Sequence, residues 1–367
     1  MAPPPLRTAD STPFTGLSCV LLSLVFTAAV VLALVLVGTK GGRSSSSGSG
    51  TAVGSSSNSG QSASVVATYI GSAAAAATTV PIDFLSSLAS SYSMTPASIY
   101  TLTMPSGALP SASSALSYIS STWSFQKGSS DYLTFAEDPL GSGGGTVVQV
   151  EYGKGSYSGT DDPGGGLGNL QLGVFGEGKN RAMVSYEVGF EQDFDFVQGG
   201  KLPGSYGGDM NAYCTGGQPS AACFSLRLTW RANGAGEVYG YVPTYDGQCS
   251  SDASATDGCR FYNTVTEIAI LNSDPGTPCE ANGVLAVYAG ETLAFERTDI
   301  VFRTNASVLF TSLAFSTFFG GSSAAYAPTG DVHAYFRNFQ FFEGDDASTE
   351  TGSTVTATIP SASSTRK

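Results

Sequence analysis

Four polar residues in two neighbouring stretches of the chain have the types and spacing for chemistry on an anionic substrate. In "CFSLRLTWR", Ser225 and Arg227 alternate with apolar residues, and in "GEVYGYVP" Tyr239 and Tyr241 do the same. Successive side chains of a β-strand point to opposite faces of a sheet. We therefore expect two half-buried strands whose polar residues share one exposed face.

The turn "ANGAG" between the two stretches favours a β-hairpin. The register that we expect makes three cross-strand pairs: Arg231 with Glu237, Thr229 with Tyr239, and Arg227 with Tyr241. A further cation, Lys201, lies in "VQGGKLPGSYGG", where glycines allow a close approach of the backbone and Pro203 fixes the chain direction. We expect Lys201 to arch over the polar face of the hairpin.

This set of residues suits β-elimination on a uronic acid. Arg227 and Lys201 would neutralise the sugar carboxylate and so acidify the adjacent C–H bond. One of Tyr239 and Tyr241 would take the proton, with Lys201 able to share that step, and the other would protonate the departing oxygen. Ser225 would orient the substrate or a tyrosine hydroxyl. Cationic neighbours lower the pKa of a tyrosine or a lysine, as the base requires.

Other reactions fit these residues less well. The set lacks the carboxylate pair of glycoside hydrolysis, no "GxSxG" surrounds Ser225, and no His/Cys cluster has metal-ligand spacing, so we expect neither a metal nor a cofactor. In "FEQDFDF", Glu191 and Asp193 fill the first two places of the E-x-D-x-x-E strand of jelly-roll glucanases, but Phe196 fills the third. We interpret these acids as a solvated strand end and His333, the only histidine, as a structural residue.

Four segments, "YGKGSYSG", "YEVGFEQDFDFVQGGKLPGSYGG", "CFSLRLTWRANGAGEVYGYVP" and "FSTFFGG", resemble polysaccharide lyase family 14, the alginate and polyglucuronate lyases of algal viruses, molluscs and fungi. The resemblance runs from about Trp123 to Phe342, and we expect a fungal member. It implies a β-jelly roll and catalysis without a metal. The lysine of GGKLPG, the S-x-R pair and the Y-x-Y tyrosines would form the catalytic groove: Lys201, Ser225, Arg227, Tyr239 and Tyr241.

The remaining patterns predict an all-β fold. Apolar or alternating runs such as "TVVQVEY", "VSYEVGF", "VLAVYAG" and "HAYFRNFQFF" recur between glycine-rich turns. This is typical of a two-sheet antiparallel sandwich of jelly-roll type. The period-two pattern of "VSYEVGF" predicts a half-buried strand. One short helix is predicted near "IDFLSSLASSY".

The N-terminal part of the chain predicts a membrane anchor. Residues 14–38 carry no charge and, as a helix, are long enough to cross a bilayer, whereas a cleaved signal peptide has a shorter apolar region. We expect a single-pass protein with its C-terminal domain outside the cell (type II); secretion after cleavage is the alternative. The predicted boundaries are a cytoplasmic tail (1–13), the transmembrane helix (14–38), a Ser/Gly-rich linker (39–66), a lyase domain (67–345) and a disordered Ser/Thr-rich tail (346–367).

The cysteines favour an oxidising compartment for the domain. The loops "CTGGQPSAAC" and "CSSDASATDGC" predict two local disulfides. Their cysteines are Cys214, Cys223, Cys249 and Cys259. Cys279 is left over, either as a free thiol or paired elsewhere, and Asn305 in "NAS" is a candidate glycosylation site.

The composition restricts the partners. Sixteen basic residues against 29 acidic ones give a net charge of −13, which argues against nucleic acid and requires a locally basic groove for an anionic ligand. We therefore predict a polysaccharide lyase that cleaves glucuronan or alginate by β-elimination and leaves an unsaturated uronate end. One alternative is a non-catalytic, membrane-tethered module that binds an anionic cell-wall glycan. Another is a hydrolase, which would release saturated ends.

Overall fold

The computed structural model describes residues 80–141, 144–158, 164–216, 220–246, 248, 259–262, 268–321 and 323–359. The predicted cytoplasmic tail, transmembrane helix and linker lie outside these ranges, as do Cys249 and the side chain of Cys259. Within the described ranges, no helix is both long and apolar enough to cross a membrane.

Two antiparallel sheets of eight strands each form the framework of the described chain. The strands of the first are β1 (Tyr100–Thr101), β3 (Leu133–Glu137), β4 (Thr146–Tyr152), β6 (Arg181–Phe190), β12 (Ile268–Asp274), β13 (Gly283–Ala289), β14 (Thr292–Ile300) and β16 (Val332–Gly344). Their order is β14-β13-β12-β6-β16-β4-β3, with β1 beside β16. We call this sheet the β6 sheet.

The second sheet, called the β9 sheet, carries the candidate site. Its strands are β2 (Phe125–Lys127), β5 (Leu167–Leu172), β7 (Gly199–Lys201), β8 (Gly204–Gly208), β9 (Cys223–Arg231), β10 (Gly236–Tyr241), β11 (Cys259–Tyr262) and β15 (Phe310–Phe319). Their order is β11-β10-β9-β7-β15-β5-β2, and β8 also pairs with both β9 and β15. The predicted all-β sandwich is confirmed.

The apolar faces of the two sheets form the hydrophobic core between them. On β9, Phe224, Leu226 and Leu228 lie in this core, as the alternation of the strand predicts. Each such side chain contributes roughly 1.5–3 kcal/mol by its burial. Because the apolar residues take the inner face of β9, the polar residues between them must take the outer one.

The strand β6 is more buried than its alternation predicts. Ser185 and Glu187 lie on the face away from the core, yet both are buried. The Glu187 carboxylate accepts hydrogen bonds from Arg337 Nε at 2.6 Å and from Asn338 Nδ2. The polar face of this strand is thus closed by an ion pair and is not solvated, which corrects the predicted half-buried strand.

Two helices precede most of the strands. The predicted helix is α1 (Ile82–Ser91), which packs through Leu85 and Leu88. A second helix, α2 (Ala112–Thr122), was not predicted because its stretch is rich in serine and weakly patterned. Ser111 caps its first turn by accepting a hydrogen bond from Ser114 N at 3.2 Å.

Residues 346–359 are not the disordered segment that their composition predicts. Val355 N donates to Cys279 O at 3.0 Å, and Thr244 and Thr358 exchange two backbone hydrogen bonds of 2.8 Å. Backbone groups hold this segment on the domain, so a sequence poor in apolar residues gave no sign of its order.

Candidate active site

The predicted hairpin forms between β9 and β10, but the expected register was wrong by two residues. Tyr239 lies opposite Arg227, and Tyr241 lies opposite Ser225. Because side chains alternate with a period of two, an even shift leaves every residue on its expected face. The four polar residues therefore share the outer face of the β9 sheet.

The turn explains the shifted register. Only four residues, 232–235, separate the paired strands, with Asn233 at a φ of 60° and Gly234 at 75°. Asn and Gly tolerate this left-handed conformation better than other residues. The chain therefore reverses early and Arg231 N donates to Ala235 O, whereas the sequence suggested a turn of five residues.

Lys201 reaches the polar face from the neighbouring strand β7. It lies opposite Thr229 of β9, and its Nζ lies 3.6 Å from the centroid of the Tyr239 ring. An ammonium at this distance from an aromatic face makes a cation–π contact. The glycine-rich stretch thus places Lys201 beside the tyrosines, as its sequence suggests.

Arg227 is a buried cation with an incomplete set of partners. It is 4% exposed; its NH1 donates to Ala314 O at 3.3 Å, and its Nε has no hydrogen-bond partner in the part of the chain that the structure describes. Among the described residues, no carboxylate forms an ion pair with it. Burial lowers the pKa of Arg227 to about 10, against the opposing effect of Tyr241 and Tyr206, so the group stays charged at neutral pH.

Arg231 and Glu237 form the contact that the sequence predicted, although they are not directly opposite each other. Arg231 Nε lies 2.9 Å from Glu237 Oε2, and its NH2 contacts Oε1. A Cβ on Gly199 would lie 3.3 Å from Arg231 Cδ and NH1. The missing side chain of Gly199 therefore leaves room for the arginine to lie across β7.

Residues 209–214, which we call the covering segment, close over part of this face. Ser225 Oγ donates to Cys214 O at 2.6 Å, and Lys127 Nζ donates to Met210 O. The expectation of an exposed polar face was therefore wrong: Ser225, Arg227, Tyr239 and Tyr241 are all buried. The alternation indicated the face correctly but not what packs upon it.

Tyr206 is a residue of this face that the sequence argument did not single out. It lies opposite Ser225 on β8, and its single hydroxyl proton is shared between Ala212 O at 2.6 Å and Asp209 O at 3.1 Å. Burial raises the pKa of Tyr206 to about 12, although Arg227 opposes this shift. A phenol with a raised pKa that already donates to two carbonyls holds the covering segment in place.

The first predicted disulfide, Cys214–Cys223, is present. It joins the end of the covering segment to the start of β9, which fixes the segment above Ser225. Cys279 is also disulfide-bonded, so its prediction as a free thiol was wrong and its pairing elsewhere holds. The predicted Cys249–Cys259 pair lies outside the described side chains.

The other candidate residues lie away from this face. His333 belongs to the β6 sheet, where its Nδ1 lies 3.0 Å from Glu191 Oε2. Asn305 is exposed, and its Oδ1 accepts hydrogen bonds from Ser307 of the same "NAS" motif. The described residues contain no group of three or more His, Cys, Asp or Glu side chains that could hold a metal ion.

A depression of about 470 Å³ lies on the other sheet, along β3 and β4. Its charged lining residues are acidic: Asp131, Glu137 and Glu151. An acidic lining repels a polyanion, so this depression is unsuited to a uronate. The polar face of the β9 sheet, with its cations and tyrosines, is the better candidate for such a substrate.

A family model described as polysaccharide lyase 14 matches residues 141–339. The crystal structure of the marine PL-14 alginate lyase from Aplysia kurodai is 28% identical, with a TM-score of 0.54, and the match covers 66% of this chain and 100% of that one. The alginate lyase vAL-1 from Chlorella virus shares the fold, with 22% identity, a TM-score of 0.51 and coverage of 66% and 100%. No curated protein matches the chain.

Proposed function

Because the chain belongs to polysaccharide lyase family 14, we propose that it cleaves a uronic-acid polymer, glucuronan or alginate, by β-elimination on the polar face of the β9 sheet. Arg227 carries the proposal. A buried guanidinium without a carboxylate partner among the described residues is costly for the fold, and the carboxylate of a uronate would complete it. The 28% identity to an alginate lyase supports the same substrate class.

The residues of the face divide the reaction between charge neutralisation and proton transfer. Arg227 and Lys201 bind the carboxylate of one uronate and withdraw charge from it, which acidifies the C5–H bond. One tyrosine, as a phenolate, takes the C5 proton. The electron pair forms the C4=C5 double bond, the C4–O bond breaks, and the second tyrosine protonates the departing oxygen.

The two tyrosines are placed to exchange these roles. The ring centroids of Tyr239 and Tyr241 lie 5.2 Å apart, and each ring lies near a cation: Lys201 at Tyr239, and Arg227 at Tyr241. A nearby positive charge favours the phenolate. After one turnover the proton returns from the base to the acid, and the net change is transfer of one proton from C5 to the departing oxygen.

Ser225 acts on this chemistry through the covering segment. Its hydroxyl donates a hydrogen bond to Cys214 O, and Ser225 lies opposite Tyr241. We assign Ser225 to positioning the segment and the tyrosine, with no proton transferred by it.

The test follows the ultraviolet absorbance of the conjugated C4=C5 bond while the full chain is incubated with polyglucuronate, polymannuronate and polyguluronate. We expect absorbance to rise on at least one polymer, which also identifies the substrate. Arg227→Met should abolish the rise, whereas the matched control Arg297→Met, at a partly exposed arginine paired with Asp299, should retain it. Undiminished turnover by a folded Arg227→Met variant would refute the assignment.

Two other outcomes would identify the alternative functions. Tight binding of a polyuronate without any product would select the membrane-tethered binding module. Release of saturated ends, with new reducing groups but no absorbance, would select a hydrolase.

The proposed location is outside the cell, on a single-pass anchor formed by residues 14–38, with cleavage and secretion as the alternative. The Cys214–Cys223 and Cys279 disulfides support an oxidising compartment. Asn305 is exposed, as glycosylation requires. A mobility shift on glycosidase treatment that Asn305→Gln removes, together with retention in membranes after alkaline extraction, tests both points; a protein found in the medium would favour cleavage.

A further inference from the structure

We propose that Gln171 is a substrate-binding residue, whose side-chain carbonyl accepts a hydrogen bond from a hydroxyl group of the uronate held by Arg227. This inference rests on the proposed function and extends it to a residue that no sequence motif singled out. In this role Gln171 helps to bind the sugar and takes no part in the proton transfers.

Gln171 lies on the same row of the β9 sheet as Arg227. Gln171 is opposite Ala314, and Ala314 is opposite Gly204. A Cβ on Gly204 would lie 2.9 Å from Arg227 Cα, so the row continues to β9 without a gap. Since cross-strand neighbours share a face, all of these positions face the polar side of the sheet.

The residues between Arg227 and Gln171 are small. Gly204 has no side chain and Ala314 has only a methyl group, so they form a low floor between two longer polar residues. Arg227 extends across this floor, because its NH1 reaches Ala314 O at 3.3 Å. Its guanidinium therefore ends one strand away from Gln171, about 4.8 Å in a β-sheet, and one sugar residue could contact both side chains.

The two polar groups that face this floor are both incomplete. Gln171 and Arg227 are each 4% exposed, and neither Gln171 Oε1 nor Arg227 Nε has a hydrogen-bond partner among the described residues. Buried polar atoms without partners destabilise a fold and are uncommon. Gln171 Oε1 can accept a hydrogen bond from a sugar hydroxyl. Arg227 Nε is a charged donor and can bind the carboxylate of the same sugar.

The faces of β5 confirm where Gln171 points. Leu170 and Leu172, its neighbours in the chain, both lie in the core between the sheets. Gln171 must therefore face away from the core. At the far end of the row lies Lys127 of β2, directly opposite Gln171, and its Nζ holds Met210 O of the covering segment.

The decisive variant is Gln171→Leu, which removes the unpartnered oxygen at similar volume. We expect KM for the cleaved polyuronate to rise about tenfold, the loss of one hydrogen bond, with kcat nearly unchanged and the urea midpoint of unfolding equal or higher. A residue with a purely structural hydrogen bond would instead lose stability when truncated. Unchanged KM together with a lower midpoint would overturn the inference.

A second variant adds a measurement, the pH dependence of KM, that a change in packing alone does not alter. Gln171→Glu keeps the shape and places a carboxylate near Arg227, where it competes with the substrate carboxylate; Lys127, directly opposite on β2, is the other cation that faces this position. We expect KM to rise more than in Gln171→Leu at neutral pH, and this excess to shrink as pH falls and the new carboxyl is protonated. A KM penalty that does not depend on pH would contradict the placement of Gln171 beside Arg227.

The matched control is Gln149→Leu on β4 of the other sheet, which should leave KM unchanged. Affinity electrophoresis in gels that contain the polyuronate separates the two proposals. If the wild type binds the polymer without cleaving it and Gln171→Leu weakens this binding, the lyase proposal fails while the Gln171 inference stands. If the wild type cleaves and Gln171→Leu binds and cleaves like it, the reverse holds.

Discussion

Arg227 and Arg337 occupy comparable positions in the two sheets, each on a central strand and on the face away from the core, but their surroundings are opposite. Arg337 contacts Glu187 Oε2 at 2.6 Å and Asp138 Oδ2 at 2.7 Å. Arg227 is more deeply buried and bonds a backbone carbonyl. The charge of Arg337 is neutralised by carboxylates of the fold, whereas the charge of Arg227 can be neutralised by an anionic ligand.

The two environments have different costs. A buried charge is tolerated when paired carboxylates and hydrogen bonds replace its hydration, as at Arg337. At Arg227 the charge is favoured instead by one backbone carbonyl, Ala314 O, and by two phenols, Tyr206 and Tyr241. The fold therefore accepts an unfavourable site on the β9 sheet, and an anionic substrate would relieve it.

The largest expected effect comes from exchanging these two arginines for methionine. Arg227→Met should lower kcat/KM by about a thousandfold or more, because the carboxylate charge is no longer stabilised, with no loss of stability. Arg337→Met should instead lower the free energy of unfolding by about 3–5 kcal/mol, because Glu187 and Asp138 are left buried and unpaired. Steady-state kinetics and urea unfolding measure the two effects.

The pattern should be reciprocal. Folded Arg337→Met, assayed at low temperature, should keep most of the wild-type kcat/KM. The opposite result, in which Arg227→Met is less stable and fully folded Arg337→Met is less active, would contradict a structural role for Arg337 and a functional one for Arg227.

The next effect concerns Arg231, whose partner Glu237 belongs to the same row as Lys201. Thr229 lies opposite both Lys201 and Glu237 on its two sides. Arg231→Met leaves the Glu237 carboxylate without its arginine, and Lys201, in the same row on the other side of Thr229, is a cation that could replace it. We expect kcat/KM to fall about ten- to a hundredfold as Lys201 is drawn from Tyr239.

A double variant distinguishes this from simple loss of structure. Arg231→Met combined with Glu237→Gln removes both charges and should recover most of the lost activity. A double variant no better than Arg231→Met alone would show that the ion pair acts on stability and not on Lys201.

The polar residues that the hairpin contributes to this face could be predicted from the sequence, but their geometry could not. A period of two assigns Ser225, Arg227, Tyr239 and Tyr241 to one face for any even register. The register itself depended on the backbone conformation of Asn233 and on the length of the turn, which residue types alone do not fix. The family resemblance named the same four residues but carried no register either.

The burial of the polar face and the hydrogen-bond partners of its residues could not be predicted from the sequence, for a physical reason. The covering segment and Tyr206 meet Ser225 only through tertiary contacts, and "YGGDMNAYC" does not indicate where it packs. Gln171 in "LGNLQL" is an ordinary strand residue until its neighbours are known. Its significance lies in a missing hydrogen bond, which only the folded chain can show.

The pH dependence of substrate binding should also reveal the buried charge of Arg227. Burial lowers the pKa of Arg227 to about 10 from an ordinary 12.5. Its charge is fully present below about pH 10 and is lost as pH rises through that value, so affinity for a polyuronate should fall up to about tenfold per pH unit above it. The same loss of charge removes the cost of burial, so this group should not make the fold less stable there.

Affinity electrophoresis between about pH 8 and 11 can measure this dependence, because the carboxylates of the polymer stay ionised over that range. In Arg227→Met the fall in affinity should be shallower. An equal fall in both proteins would assign it to Lys201 or the tyrosines.

The smallest effect separates two serines on the outer face of the β9 sheet. Ser225 Oγ donates to Cys214 O at 2.6 Å, and Ser316 Oγ donates to Gly168 O at 2.9 Å. Each serine-to-alanine change removes one such bond, so both should lower the free energy of unfolding by about 1 kcal/mol. Only Ser225→Ala loosens the covering segment, which the Cys214–Cys223 disulfide still holds, so only this variant should change KM, by about two- to fivefold.

The direction of that change reports how substrate reaches the face. If the segment must move aside for the polymer to bind, releasing it lowers KM, because less of the binding free energy is used to open it. If the segment contacts the bound polymer, releasing it raises KM. Equal KM values for Ser225→Ala, Ser316→Ala and the wild type would mean that the covering segment, although it buries the proposed site, is neither a barrier nor a contact for the substrate.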